Sequence, residues 1–170
     1  MLPVNIDVNA LLDGMGTQLL QYVAAANRKD PIIVGVRTGG VWVAQHLHKF
    51  MANPFPLGKL NIAFYRDDFS RIGLHPTVEP SKLPFAVDDR HLILVDDILY
   101  TGRTIRAAMN EIFDYGRPAS ITLVVLIDRG EHELPIKADI VGTTLSLAAS
   151  EHVKLHGPDS LRLELCTAKN

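Results

Sequence analysis

Apolar positions follow two different spacings along the chain, and each spacing predicts a different element. After Asp7, a candidate N-cap, apolar residues recur every three or four positions, which predicts a helix that ends near Asn27. Residues 32–36 (IIVGV) instead form a short continuous apolar run, the pattern of a parallel strand that is buried on both faces. The same two patterns then predict strands over 59–65, 91–95 and 120–127, helices over 41–51 and 104–115, and shorter strands around Ile140, around Val153 and over 161–165.

Strands and helices therefore alternate through the middle of the chain. This order predicts an α/β fold with an open, mainly parallel sheet that helices cover on both faces. Residues 66–90 interrupt the alternation, because they contain four prolines or glycines and little periodicity. Structureless loops of that length in compact domains are often lids over a ligand site. We expect the whole chain, residues 1–170, to form one domain.

Composition narrows the class of protein without identifying it. The chain has 170 residues, of which 47% are hydrophobic and 21% charged, and a formal net charge of −2, which disfavours a strongly basic nucleic-acid binder. No apolar run approaches the roughly 18 residues that span a bilayer, and the first residues lack the pattern of a signal peptide, so we expect no membrane partner. The single cysteine cannot form an internal disulfide, which favours a reducing, cytoplasmic setting.

The segment ILVDDILYTGRT, residues 93–104, carries the candidate chemistry. Its apolar run ends in Asp96 and Asp97, two adjacent carboxylates that a strand serving only as core would not hold. At the carboxyl end of a strand they could stay partly solvated and accept hydrogen bonds. Tyr100, Thr101, Gly102, Arg103 and Thr104 then turn into a helix N-terminus, where outward N–H groups suit a phosphate. A pair of acceptors beside an anion site matches a ribose 5-phosphate.

This segment resembles the phosphoribosyl pyrophosphate (PRPP) signature of type I phosphoribosyltransferases. Four further segments, in the order YRDD at 65–68, DYGRP at 114–118, DRG at 128–130 and ELPI at 133–136, resemble the PyrR family of pyrimidine operon attenuation regulators that are also uracil phosphoribosyltransferases. The resemblance implies the type I phosphoribosyltransferase fold, with a long mobile loop and a small hood. It also implies Mg²⁺ as the cofactor and PRPP, uracil and UMP as ligands.

The resemblance further implies roles for individual residues. Asp96 and Asp97 would bind the ribose hydroxyls and the metal ion, and Tyr100 to Thr104 would hold the 5-phosphate. The pyrophosphate loop would be formed by Arg37, Thr38, Gly39 and Gly40, and the base-binding segment by Asp128, Arg129 and Gly130. The catalytic residues would be Arg37, Arg66 and Asp97: Arg37 supplies a permanent cation for the leaving group, and Arg66 and Arg71 could fold over it.

The base is expected to be a pyrimidine. Purine-specific relatives usually hold an aspartate where this chain has Tyr100, and a tyrosine does not readily accept a proton near neutral pH. An alternative interpretation is that Tyr100 only packs the turn.

Binding of pyrimidine operon mRNA, the regulatory activity of the family, is doubtful for this chain. The family pattern after Arg129-Gly130 is His-Arg-Glu-Leu-Pro-Ile-Arg, whereas this chain has Glu131, His132 and, at the end of the motif, Lys137. Fewer phosphate contacts weaken RNA binding. Two hypotheses stay open: a bifunctional enzyme and regulator, or a nucleotide-sensing regulator with little catalysis or with its RNA binding lost. The resemblance implies a homodimer or homotetramer.

Overall fold

A five-stranded parallel sheet forms the centre of the chain in a computed structural model that describes residues 6–62 and 79–167. Its strands are β1 (Ile32–Val36), β2 (Gly58–Leu60), β3 (His91–Leu99), β4 (Ser120–Asp128) and β5 (Ile140–Thr144), in the order β2-β1-β3-β4-β5. The order reverses direction between β1 and β3, and open α/β sheets bind ligands at such a point, beyond the carboxyl ends of the strands. The expected open, mainly parallel sheet is confirmed.

Helices cover both faces of this sheet. They are α1 (Val8–Ala25), α2 (Gly39–Phe50) and α3 (Arg103–Tyr115), close to the three predicted helices. Asp7 is the N-cap of α1, as expected, because its Oδ1 accepts a hydrogen bond of 3.0 Å from the Ala10 N–H. The first two helices pack against one core cluster and α3 packs against a second. Since both faces are buried, the strands are apolar at consecutive positions rather than alternate ones.

Strand β3 is longer than its sequence predicts. The apolar run ends at Val95, but the strand continues to Leu99 because β4 is equally long and pairs with it as far as Asp128. Asp96 and Asp97 therefore lie within the paired part of β3, near its carboxyl end, rather than after the strand. By contrast, β2 is shorter than the predicted 59–65, and residues 63–65 lie outside the described residues.

A separate antiparallel hairpin, here called the hood hairpin, follows the sheet. It consists of β6 (Glu151–His156) and β7 (Arg162–Thr167). Its inward residues Val153 and Leu155 are buried in the core cluster of the first two helices. The two short strands predicted near the end of the chain are thus confirmed.

Much of the predicted lid, including Arg66 and Arg71, lies outside the described residues. Within the described part, residues 79–90 are irregular apart from one bridge between Lys59 and Lys82. In the described ranges, no helix is both long and apolar enough to cross a bilayer.

Candidate active site

Three segments converge at the carboxyl ends of adjacent strands. Residues 37–40 follow β1, residues 96–104 end β3 and open α3, and residues 128–130 end β4. Because β3 lies between β1 and β4, its acidic tip is flanked by the other two segments. The structure thus brings together the segments that sequence analysis assigned to ribose phosphate, pyrophosphate and base.

The two carboxylates have different surroundings. Asp96 is buried, with 4% of its surface exposed, and its Oδ1 accepts a hydrogen bond of 3.0 Å from the Asp97 N–H. Asp97 is half-buried. The hydrogen bond from the Asp97 N–H occupies an oxygen of the buried Asp96. Asp97 is the more exposed carboxylate and is therefore better placed to meet a ligand.

Gly39 and Gly40 allow the loop after β1 to approach this acidic tip. A Cβ on Gly39 would collide with the Asp97 carboxylate, and one on Gly40 would lie 2.9 Å from the Cα of Asp96. Real Cβ atoms do not approach heavy atoms that closely, so both positions require glycine if the loops are to keep this separation. The small residues of the predicted pyrophosphate loop therefore make room for the acids.

The turn from β3 into α3 has the form of an anion site. Gly102 is its N-cap, at a φ of 91° that side chains rarely tolerate, and it supplies no capping side chain. The N–H groups of a helix's first turn have no partners within the helix, and they form the positive end of its dipole. The Thr101 Oγ1 accepts a hydrogen bond of 3.3 Å from the Arg103 N–H. The half-buried Thr104 adds a second hydroxyl in the first turn.

Arg37 lies at the end of β1, where its backbone N–H donates to Leu60 O at 2.8 Å. The peptide bond between Arg37 and Thr38 is cis. The guanidinium contacts a carboxylate that sequence analysis did not single out, since Nη2 lies 2.5 Å from Oε2 of Glu79. Its Nε is buried and has no hydrogen-bond partner among the residues that the structure describes.

The segment after β4 contacts the aromatic residue of the β3–α3 turn. The Arg129 guanidinium carbon lies 3.9 Å from the centre of the Tyr100 ring, and Arg129 Nη2 donates to Glu151 O at 3.2 Å. Asp128 Oδ1 accepts from the Gly130 N–H at 2.8 Å and also lies 2.8 Å from Nε2 of His132. Arg129 thus stacks on Tyr100 rather than projecting into solvent.

The residues that follow, 131–136, form a strap across the β3–α3 turn. The N–H groups of Glu133 and Leu134 donate to Thr101 O at 3.0 and 3.2 Å, and Arg103 Nε donates to Glu133 Oε2 at 2.9 Å. Sequence reasoning missed the roles of His132, Glu133 and Glu79. Their partners lie between four and 42 positions away along the chain. The three residues lie in irregular segments, where no periodic pattern predicts which side chains meet.

The donor set at the strand tip is suited to Mg²⁺. In the described ranges, no group of three or more histidine, cysteine or acidic side chains converges, so a closed protein cage for a metal ion is not formed there. Magnesium is usually held by one or two carboxylates together with substrate phosphates and water. The adjacent carboxylates of Asp96 and Asp97 are oxygen ligands of that kind, and Asp97 is the more exposed of the two.

Comparisons with known proteins agree with this arrangement. The family model described as a phosphoribosyl transferase domain matches residues 7–163. The Bifunctional protein PyrR of Nitrosococcus oceani is 58% identical over 165 residues, which cover 96% of this chain and 93% of that protein. The Bifunctional protein PyrR of Pseudomonas syringae pv. syringae is 55% identical over 159 residues, which cover 94% of each.

Solved structures show the same fold at low identity. The hypoxanthine phosphoribosyltransferase of Trypanosoma cruzi has a TM-score of 0.67 and 16% identity, over 95% of this chain and 93% of that one. The family model, the two relatives and this fold lead to one conclusion: the chain belongs to the PyrR family of phosphoribosyltransferases.

Proposed function

We propose that this chain transfers ribose 5-phosphate from PRPP to uracil and thereby forms UMP and pyrophosphate. In that reaction the bond from C1 of the ribose to pyrophosphate breaks, and its electron pair leaves with pyrophosphate. A bond from uracil N1 to C1 forms, and N1 loses its proton. The observation that carries the proposal is the contact of the Asp97 carboxylate with Gly39, because it joins the acid pair to the cationic loop, next to the N-terminus of α3.

The ribose phosphate would be held at both ends by residues of one continuous segment. The Asp97 carboxylate would accept hydrogen bonds from the ribose hydroxyls, while Asp96 holds its backbone in place. The first-turn N–H groups of α3 and the hydroxyl of Thr104 would bind the 5-phosphate. This orientation would place C1 of the ribose toward the loop after β1.

Negative charge develops on the leaving pyrophosphate as the ribose becomes oxocarbenium-like. Arg37 is the cationic side chain of the loop after β1, and its guanidinium can donate two parallel hydrogen bonds to phosphate oxygens. When bound, Mg²⁺ would neutralise part of the same charge. Arg66 remains a candidate for a further contact from the long loop.

The base would lie between the tip of β4 and the β3–α3 turn. Tyr100 is 38% exposed although Arg129 covers part of its ring. Tyr100 stands where purine-specific relatives usually hold an aspartate that binds the purine N7, and a tyrosine lacks that carboxylate, which supports a pyrimidine. Asp128, Arg129 and Gly130 are the proposed base-binding residues.

A steady-state assay with PRPP, Mg²⁺ and uracil, hypoxanthine or orotate tests this proposal. We expect turnover of uracil and none of hypoxanthine. Turnover of hypoxanthine alone would contradict the assignment from Tyr100, and the absence of turnover with every base would contradict the enzymatic function.

The second candidate function is a UMP-responsive regulator of pyrimidine biosynthesis genes, supported by the name Bifunctional protein PyrR of the relatives. Two groups that could meet RNA phosphates are already paired with carboxylates. Arg103 Nε donates to Glu133, and His132 Nε2 lies 2.8 Å from Asp128. The local charge therefore disfavours RNA binding through this strap.

Filter binding of a pyrimidine operon leader RNA, with and without UMP over a salt series, tests the regulatory function. Binding that UMP strengthens and salt weakens would support an RNA regulator. No binding at low salt would remove the RNA activity and leave the enzyme.

We also propose that the chain forms a homodimer or homotetramer in the cytoplasm. Two large aromatic side chains on α3, Phe113 and Tyr115, expose 57% and 47% of their surfaces, and an exposed apolar patch is typical of an interface between subunits. Light scattering coupled to gel filtration would give the mass, and a monomer at micromolar concentration would contradict the proposal.

A further inference from the structure

The cation of the pyrophosphate loop is already paired with an acid of this chain. Arg37 Nη2 lies 2.5 Å from Glu79 Oε2, with 27% of the arginine side chain and 69% of the glutamate side chain exposed. The pairing uses one edge of the guanidinium and leaves the buried Nε without a partner in the described part of the chain. Among the described residues, Arg37 is therefore paired with a carboxylate at one edge of its guanidinium and lacks a hydrogen-bond acceptor at Nε.

The position of Glu79 is fixed by the backbone around it. Its carbonyl oxygen accepts a hydrogen bond of 2.5 Å from Asn61 Nδ2, and the Asn61 N–H donates to Ser81 Oγ at 2.8 Å. Lys59 and Lys82 exchange two backbone hydrogen bonds of 2.8 and 2.7 Å. Residues 79–82 thus run alongside residues 59–61, which also anchor the backbone of Arg37 through Leu60 O.

We propose that Glu79 is an internal competitor for the pyrophosphate group, so that it sets the affinity of the site for PRPP and for released pyrophosphate. This inference rests on the proposed role of Arg37. A carboxylate and a phosphate oxygen accept hydrogen bonds from the same donors of a guanidinium. Arg37 must therefore separate from Glu79 before it can bind pyrophosphate with both edges of its guanidinium. When pyrophosphate leaves, Glu79 takes up the guanidinium again and favours release.

The size of the effect follows from the exposure of the pair. Ion pairs in solvent are worth little, because water and salt screen them. Removing the charge of Glu79 should therefore tighten binding of pyrophosphate and PRPP by about two- to fivefold. UMP lacks the pyrophosphate group, so its affinity should not change.

The test compares the full-length chain with Glu79→Gln, which keeps the shape of the side chain and removes its charge. Isothermal titration calorimetry would measure binding of inorganic pyrophosphate, PRPP and UMP in the presence of Mg²⁺, at low and high salt. Glu164→Gln is the matched control, because it removes the same charge from another exposed glutamate, whose Oε2 lies 2.5 Å from Nε2 of His156 on the hood hairpin. We expect tighter binding of pyrophosphate and PRPP only in Glu79→Gln, with a gap that narrows at high salt.

Each other result overturns the inference in a different way. Equal affinities in Glu79→Gln and the unmodified chain would show that the ion pair does not compete. Weaker binding in Glu79→Gln would show that Glu79 orients Arg37 instead. A similar gain in affinity for UMP, or in the Glu164→Gln variant, would show that the effect comes from the net charge of the chain alone. If neither protein binds PRPP or pyrophosphate, the proposed function fails as well, whereas the first three outcomes leave it standing.

Discussion

At the scale of single residues, the site depends on how closely two loops approach. Gly39 lies against the Asp97 carboxylate, and Gly40 lies against the backbone of Asp96, so neither position has room for a Cβ. Sequence analysis placed both glycines in the pyrophosphate loop and both acids at the ribose, but it treated them as two separate motifs. Their contact depends on the parallel pairing of β1 with β3, which brings positions nearly 60 residues apart to one edge.

Gly39→Ala should weaken PRPP binding at least tenfold, because the new methyl group must displace either the loop or the Asp97 carboxylate. Titration calorimetry would measure the affinity, and urea denaturation the free energy of unfolding. Gly14→Ala is the matched control, since a Cβ on Gly14 of α1 meets nothing within 4 Å. That variant should leave PRPP affinity unchanged and raise the free energy of unfolding by about 0.5–1 kcal/mol. Equal PRPP affinity in both variants would contradict the close approach.

At the scale of elements, α1 is tied to the sheet by polar contacts as well as by its apolar face. The Tyr22 hydroxyl donates to Asp139 Oδ1 at 3.0 Å, and Asp139 Oδ2 accepts from the Leu123 N–H at 2.8 Å. The Arg28 guanidinium carbon lies 5.2 Å from the centre of the Tyr22 ring, and Arg28 donates to Thr122 Oγ1. The helical periodicity of α1 was readable from sequence, whereas this network joins residues about 100 positions apart and was not.

Tyr22 should make stability depend on alkaline pH. Burial and the Asp139 carboxylate raise the pKa of Tyr22 above its ordinary value of 10.0, because both favour the neutral phenol. A pKa that is higher in the folded state gives a stabilisation that is complete below pH 10 and is lost as pH rises through the folded pKa. Urea denaturation should therefore show Tyr22→Phe less stable by about 1 kcal/mol at pH 8, with the difference shrinking above pH 10.

A Tyr22→Phe difference that stays constant to pH 11 would contradict the role of the hydrogen bond to Asp139.

At the scale of the whole molecule, the sheet separates the stabilising core from the binding edge. The two core clusters occupy its two faces, and the candidate site lies beyond the strand ends. Substitutions at that edge should therefore change ligand binding without removing apolar burial. Asp96 is buried and its Oδ1 accepts a hydrogen bond from the Asp97 N–H, so a replacement that preserves stability there must keep an acceptor oxygen, as asparagine does.

Saturating PRPP should raise the melting temperature of the unmodified chain through mass action. At about 100 times its Kd a ligand adds about 2.7 kcal/mol, which corresponds to roughly 5–10 °C for a chain of this size. The double variant Asp96→Asn with Asp97→Asn should unfold close to the unmodified temperature and show no shift with PRPP. Differential scanning fluorimetry would measure both, with Gly14→Ala as the variant that keeps the shift. A retained shift in the double variant would contradict the role of the acids.

The sequence by itself determined the order of helices and strands, the parallel sheet and the acidic tip of β3, because periodicity and strand-end chemistry are properties of neighbouring residues. Only the tertiary structure decided that β3 continues to Leu99, since its length depends on pairing with β4. It also decided which charges are paired: Arg37 with Glu79, and Arg103 with Glu133. Those partners are brought together by strand order and by irregular loops, and no local pattern encodes a contact between positions so far apart along the chain.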